Sequence, residues 1–104
     1  DPNREMQRKY RLGNLYVLSG KYEEAKKIYE ELKRATNESG PGPFTFRLLE
    51  VEARKFEAAG NKQAALQKYD EMILMVGAPE DQLPDDFKPM LSKRNKLRQE
   101  LGVQ

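Results

Sequence analysis

Apolar residues recur at every third or fourth position over five stretches, and turn-forming residues separate the stretches. Over residues 4–18, Met6, Tyr10, Gly13 and Val17 form one series, and Leu12, Leu15, Tyr16 and Leu18 widen the apolar surface. Residues 22–35 repeat Ala25, Ile28, Tyr29 and Leu32, and residues 44–59 carry Phe46, Leu49, Ala53 and Phe56. Residues 62–76 carry Ala65, Leu66, Tyr69, Met72, Ile73 and Val76, and residues 86–101 carry Phe87, Met90, Leu91, Leu97 and Leu101. The period is that of a helix turn, not the period of two that marks a strand, so five helices are expected. The breaks between them are Ser19-Gly20-Lys21, the run from Thr36 to Pro43, Gly60-Asn61, and the run from Gly77 to Pro84. Each is built from residues that stop helices and turn chains.

The last stretch has its own punctuation. Asp85 or Asp86 is expected to cap its free N–H groups, and Pro89 fits only in a first turn. Lys96 and Arg98 stand near the end where the helix dipole favours cations, and Gly102 stops the helix. Arg94 interrupts the apolar stripe, which predicts that one side of this helix lies in water.

Composition supports the helical reading. The strong helix formers dominate, β-branched residues are few, and the fold class expected is all-α. Mean hydropathy is low at −0.91. Against disorder stand the mixed signs of the charges and the regular spacing of the apolar residues. The 104 residues, expected to form a single domain spanning 1–104, contain no Cys, no His and no Trp. That removes disulfides, a thiol nucleophile, a Cys/His zinc site and an imidazole base, and no cofactor is expected. Lys and Arg number 19 against 17 Asp and Glu, a net charge of +2. This balance argues against a nonspecific polyanion binder. The longest uncharged apolar run, from Met72 to Ala78, is far short of a membrane span. No signal peptide is legible.

Aligning Gly20 with Gly60 exposes an internal repeat with an offset of 40 residues. An aromatic stands four residues before each glycine, Tyr16 and Phe56, and a small residue seven before, Gly13 and Ala53. Ala25 and Ala65 follow by five, Tyr29 and Tyr69 by nine, Leu32 and Met72 by twelve. The pattern is that of a two-helix hairpin: small residues allow close approach, glycine turns the chain, and aromatics fill the interface.

The stretch Tyr10-Arg11-Leu12-Gly13-Asn14-Leu15-Tyr16, followed by Gly20-Lys21-Tyr22-Glu23-Glu24-Ala25 and Tyr29, resembles a tetratricopeptide repeat. The first repeat covers about residues 6–39, the linker about 36–45, the second repeat about 46–79, and a C-terminal capping helix about 86–101. Glu52 stands where the family has Leu, and Lys62 where Tyr22 supplies an aromatic in the first repeat. The family period is about 34 residues; the excess falls in the linker at 39–43. Asp1-Pro2-Asn3 resembles the close of a preceding repeat, so the chain is expected to come from a longer array, or to be capped at its start by these residues. The resemblance implies a fragment of an α-α superhelix: two hairpins with a polar-faced capping helix.

What the resemblance implies functionally is a non-catalytic adaptor or scaffold that presents a concave groove to a peptide or partner protein. By position the groove takes Gln7, Tyr10, Asn14 and Val17 from the first repeat, and Arg47, Glu50, Arg54 and Glu57 from the second. The chaperone-binding carboxylate clamp of some family members is not expected: Asn14 fits one of its places, but Tyr10 and Val51 replace a basic residue and an Asn. Arg47 and Arg54, two turns apart, suit acidic groups of a ligand, while pairing with Glu50 and Glu57 at i+3 explains them without one. The basic last helix, with Lys88, Lys93, Arg94, Lys96 and Arg98, offers a nucleic-acid contact as the alternative, although no aromatic is interleaved for base stacking. The apolar end at 72–76 offers self-association. Catalysis is not expected: Gly40-Pro41-Gly42-Pro43 has the wrong spacing for a phosphate loop, and its prolines lack N–H donors.

Overall fold

The chain starts with a helix because its first residues satisfy a helix's free donors. The Asn3 N–H donates to the Asp1 carboxylate at 3.1 Å, and Pro2 sits in the first turn, where its missing N–H costs nothing. Helix α1 (Pro2–Leu18) is followed by α2 (Tyr22–Ala35), α3 (Pro43–Ala58), α4 (Lys62–Val76) and α5 (Lys88–Leu101) in the computed structural model, which describes residues 1–103. Short 3-10 turns occupy Glu80–Gln82 and Asp85–Phe87, and no strand occurs among the described residues. The protein is all-α, as its apolar spacing predicts. The second and fourth helices have the expected bounds. The first begins earlier because Asp1 caps it, and the third runs one residue earlier at each end.

Four helix ends among the described residues close with the same pair of backbone bonds, and two of them are the short hairpin turns. At the end of α1, the Gly20 N–H donates to the Val17 carbonyl and the Lys21 N–H to the Tyr16 carbonyl. At the end of α3, Gly60 donates to Glu57 and Asn61 to Phe56. Both glycines are left-handed, with φ of 78° and 81°, a conformation that side chains disfavour. This pair of bonds satisfies the last carbonyls of a helix while reversing the chain. The spacing of 40 residues seen in the sequence is thus also the spacing of the backbone bonding.

The chain divides into two compact units, Asp1–Val51 and the residues from Glu52 onward. In the first, Val17, Ala25, Tyr29, Leu32 and Val51 form a buried cluster, with Met6, Tyr10, Tyr16, Phe44 and Leu48 packed around it. Its tightest point is Gly13. A Cβ built there would stand 2.9 Å from the Tyr29 ring, so only glycine permits α2 to lie this close. The Tyr29 ring is fully buried, and its hydroxyl donates to the Asn14 side chain, the residue after that glycine. In the second unit Ala53, Ala65, Leu66, Tyr69, Met72, Ile73, Leu83, Met90 and Leu97 are buried. Ala53 holds the place that Gly13 has in the first hairpin. Here the Tyr69 hydroxyl donates to Glu57, one helical turn beyond Ala53.

The linker is held by a carboxylate. Glu38 accepts from the Thr45 N–H at 2.6 Å, the Thr45 hydroxyl at 2.7 Å and the Phe44 N–H at 3.2 Å. It thereby fills the N-terminus of α3, with Gly42 alongside where a side chain would collide with it. Burial pushes the Glu38 carboxyl up, but the bonds from Thr45 and Phe44 outweigh it and hold the group below the usual carboxylate range.

The last helix departs from expectation in two ways. Neither Asp85 nor Asp86 caps it. They lie in a 3-10 turn, Phe87 occupies the cap position without a side-chain bond, and Asp85 instead meets the Lys88 ammonium at 2.7 Å. Arg94 does not face water. It is buried, because Glu80 and Asp70 bring two carboxylates to its guanidinium. The Arg94 hydrogen bond and charge hold the Glu80 carboxyl below the usual range.

Gly13→Ala is expected to destabilise the protein by about 1–2 kcal/mol although alanine favours helix, because the buried Tyr29 ring has no room to yield. Ala53→Gly is expected to cost a similar ~1–2 kcal/mol through a lost buried methyl and a freer backbone. Urea unfolding of both variants checks the pair; a stabilised Gly13→Ala protein would show that the ring is not held. Glu38 contributes stability above its unfolded value of 4.5, and that contribution disappears as pH falls through the lower folded value. Glu38→Ala is expected to cost about 1 kcal/mol near neutral pH and to flatten the stability profile in acid, as read from unfolding midpoints across a pH series.

Candidate functional site

Most of the polar residues expected to line a groove are committed within their own unit. Asn14 accepts from Tyr29, and Glu57 accepts from Tyr69 and lies 4.0 Å from the Lys93 ammonium. Val17 is a correction: it is buried in the core between α1 and α2, because its position on the helix is shared with Tyr10 and Gly13 on the inward side, and it is not available to a ligand. Gln7 is exposed, and Arg54 is half-buried on α3.

The residues that do come together are Tyr10, Phe44, Arg47 and Glu50 of the first unit. Tyr10 is four residues before Asn14 on α1. Phe44, Arg47 and Glu50 project from successive turns of α3, whose first turn Glu38 secures. The Arg47 Nε–H donates to the Tyr10 hydroxyl at 2.8 Å, while its Nη1 donates to Glu50 at 3.0 Å. The guanidinium carbon lies 5.6 Å from the Tyr10 ring centre, close enough for a cation–π contact. Tyr10 also meets Phe44 and Tyr29 edge to face, with ring centres 5.9 and 6.1 Å apart. Burial pulls the Arg47 guanidinium down, but its bonds to Tyr10 and Glu50 more than offset this and hold it above its ordinary value. The site therefore presents a fixed, permanently charged cation on an aromatic base.

Beside it lies an open hollow of about 370 Å³ lined by Met6, Gln7, Tyr10, Pro43 and Phe44. The lining is apolar save for Gln7 and the Tyr10 hydroxyl. An apolar side chain fits such a surface, and a carboxylate would be attracted to its Arg47 edge. Phe44 and Pro43 escaped the groove expectation because the repeat alignment puts them ahead of the second repeat. A signal was nonetheless present: an aromatic directly after the linker, at the start of a helix.

The basic last helix is largely neutralised by its own unit. Lys88 pairs with Asp85, Lys93 approaches Glu57, and Arg94 is enclosed by Glu80 and Asp70. Among the described residues there is no cluster of acidic side chains that would hold a metal ion, and no helix is long and apolar enough to cross a membrane. No family model, curated protein or solved structure matches the chain.

Tyr10→Phe keeps the ring and removes the acceptor for Arg47 Nε–H. The expected result is a loss of about 1 kcal/mol in unfolding free energy and faster solvent exchange of that Nε–H in an NMR spectrum, with the fold retained. Unchanged exchange would show that Tyr10 does not hold the guanidinium.

Proposed function

We propose that the chain is a non-catalytic protein–protein interaction module built from two tetratricopeptide-like hairpins and a capping helix. One observation carries this reading: the two hairpin turns have the same hydrogen bonds 40 residues apart, each followed by a buried alanine and a buried tyrosine at matched places. Duplicated hairpins bury a continuous apolar face by stacking, and their exposed faces serve as surfaces for partners. The contact face in this reading is that of the first unit, with Gln7, Tyr10, Phe44 and Arg47. The partner is a peptide or helix with an apolar anchor and a neighbouring carboxylate. Tyrosine and arginine, held before the partner arrives, are the residue types that dominate binding energy at interfaces.

The competing reading, nucleic-acid binding through the last helix, is disfavoured by the carboxylates that already answer Lys88, Lys93 and Arg94. Selection from a displayed random-peptide library separates the two. The expected outcome is enrichment of peptides that join an apolar residue to an acidic one, with binding weakened about fivefold or more by Gln7→Lys and Arg47→Gln. Absence of any enriched peptide, together with steeply salt-dependent retention of oligonucleotides on a filter, would reverse the assignment.

A further inference from the structure

Among the described residues, the exposed large apolar side chains are Leu12, Leu15, Leu18, Leu74, Leu101 and Val103. They are not scattered. Three belong to α1 in the first unit, and three surround one hollow in the second.

On α1, positions 4, 8, 11, 12, 15 and 18 fall within about 120° of the helix circumference at 3.6 residues per turn. They are Arg4, Arg8, Arg11, Leu12, Leu15 and Leu18, and all six are exposed. This is the side opposite Tyr10, Gly13 and Val17, which α2 covers. Leu15 is 58% exposed and Leu18 74%, more than half of each side chain in water. None of the three arginines makes an ion pair among the described residues. The outward face of α1 is therefore apolar and basic.

In the second unit, Leu74, Leu101 and Val103 stand around a hollow of about 600 Å³ between α4 and the end of α5, with Leu66 in its wall. Leu74 is 78% exposed. The charged groups lining this hollow are Asp70 and Glu71, both carboxylates, and its remaining polar groups are neutral glutamines. Lys68, which meets Glu71, is shared with Glu52, and Arg94, which meets Asp70, is shared with Glu80, so the carboxylates outnumber the cations that answer them. This face is apolar and acidic.

We propose that these two faces bind each other between copies of the chain: the Leu/Arg face of α1 on one molecule seats on the Leu/Asp/Glu face of α4 and α5 on the next. Each face supplies three exposed aliphatic side chains, and each carries the charge the other lacks. Exposed apolar surface rimmed by one sign of charge is what an interface leaves uncovered when its partner is absent. Because the two faces differ, the contact is head-to-tail. Each copy bound through one face keeps its other face free, so assembly continues into chains or closes into a ring. The contact uses neither Tyr10 nor Arg47 and stands independently of the peptide-binding reading.

Complementary variants test it. Leu15→Asp blocks the first face and Leu74→Arg the second; both positions are exposed, so an unchanged helical circular-dichroism spectrum is expected of each. In sedimentation velocity, the wild-type chain is expected to grow heavier with concentration and to dissociate in high salt. Each variant alone is expected to sediment as a monomer. Their equimolar mixture is expected to form a dimer and nothing larger, since one intact face remains on each. A wild-type monomer at every concentration overturns the proposal. So does association that survives Leu74→Arg, which would place two α1 faces against each other. A chain that stays monomeric yet floats with vesicles containing phosphatidylserine also overturns it, and assigns the Leu/Arg face to an anionic lipid surface.

Discussion

The closeness of α1 to α2 at Gly13 governs the first unit. The Tyr29 ring lies fully buried at this spacing because something across from it is missing, namely a side chain on residue 13. Its hydroxyl must then find a partner inside the packed surface, since an unsatisfied buried hydroxyl costs about 1–3 kcal/mol. Asn14 provides it on the adjacent residue. The remaining parts follow. Val17 and Leu32 close over the ring, the left-handed Gly20 returns the chain at the right distance, and Tyr10 is left at the rim to receive Arg47.

The charges have a similar economy. A chain with 36 formally charged side chains and a net charge of only +2 has many opportunities for pairing, most of them weak at the surface. Two pairings differ because they occur where solvent is partly excluded. Glu38 ties the linker to the start of α3, and Arg94 is enclosed by carboxylates from α4 and the turn after it. In both, a carboxylate is held below its ordinary pKa, and both weaken in acid.

How much of this was legible depended on the range of the interaction. Helices at 22–35 and 62–76 were readable to the residue, because Gly, Asn and a 3.6-residue period act locally. The repeat and its small-residue positions were readable too. Residues whose partners are remote in sequence were not. Arg94 looks like a solvent-facing break in an apolar stripe until Glu80 and Asp70 are brought to it from 14 and 24 residues away. Asp85 and Asp86 have the chemistry of caps, but Lys88 competes for one of them. Val17 lay on the face assigned to a groove, and the packing of Ala25, Tyr29 and Leu32 with it makes this part of the face interior. Glu38 resembles any linker carboxylate until Thr45 is seen beside it.

The two tyrosines also give each hairpin an identity. Near-copies within one chain face a hazard: the second helix of one can dock on the first helix of the other. Here such an exchange meets a penalty in one direction. Tyr29 laid against α3 would press on the methyl group of Ala53, where its own site has glycine. A single methyl thus acts as a proofreading mark, letting a folding chain tell two similar halves apart.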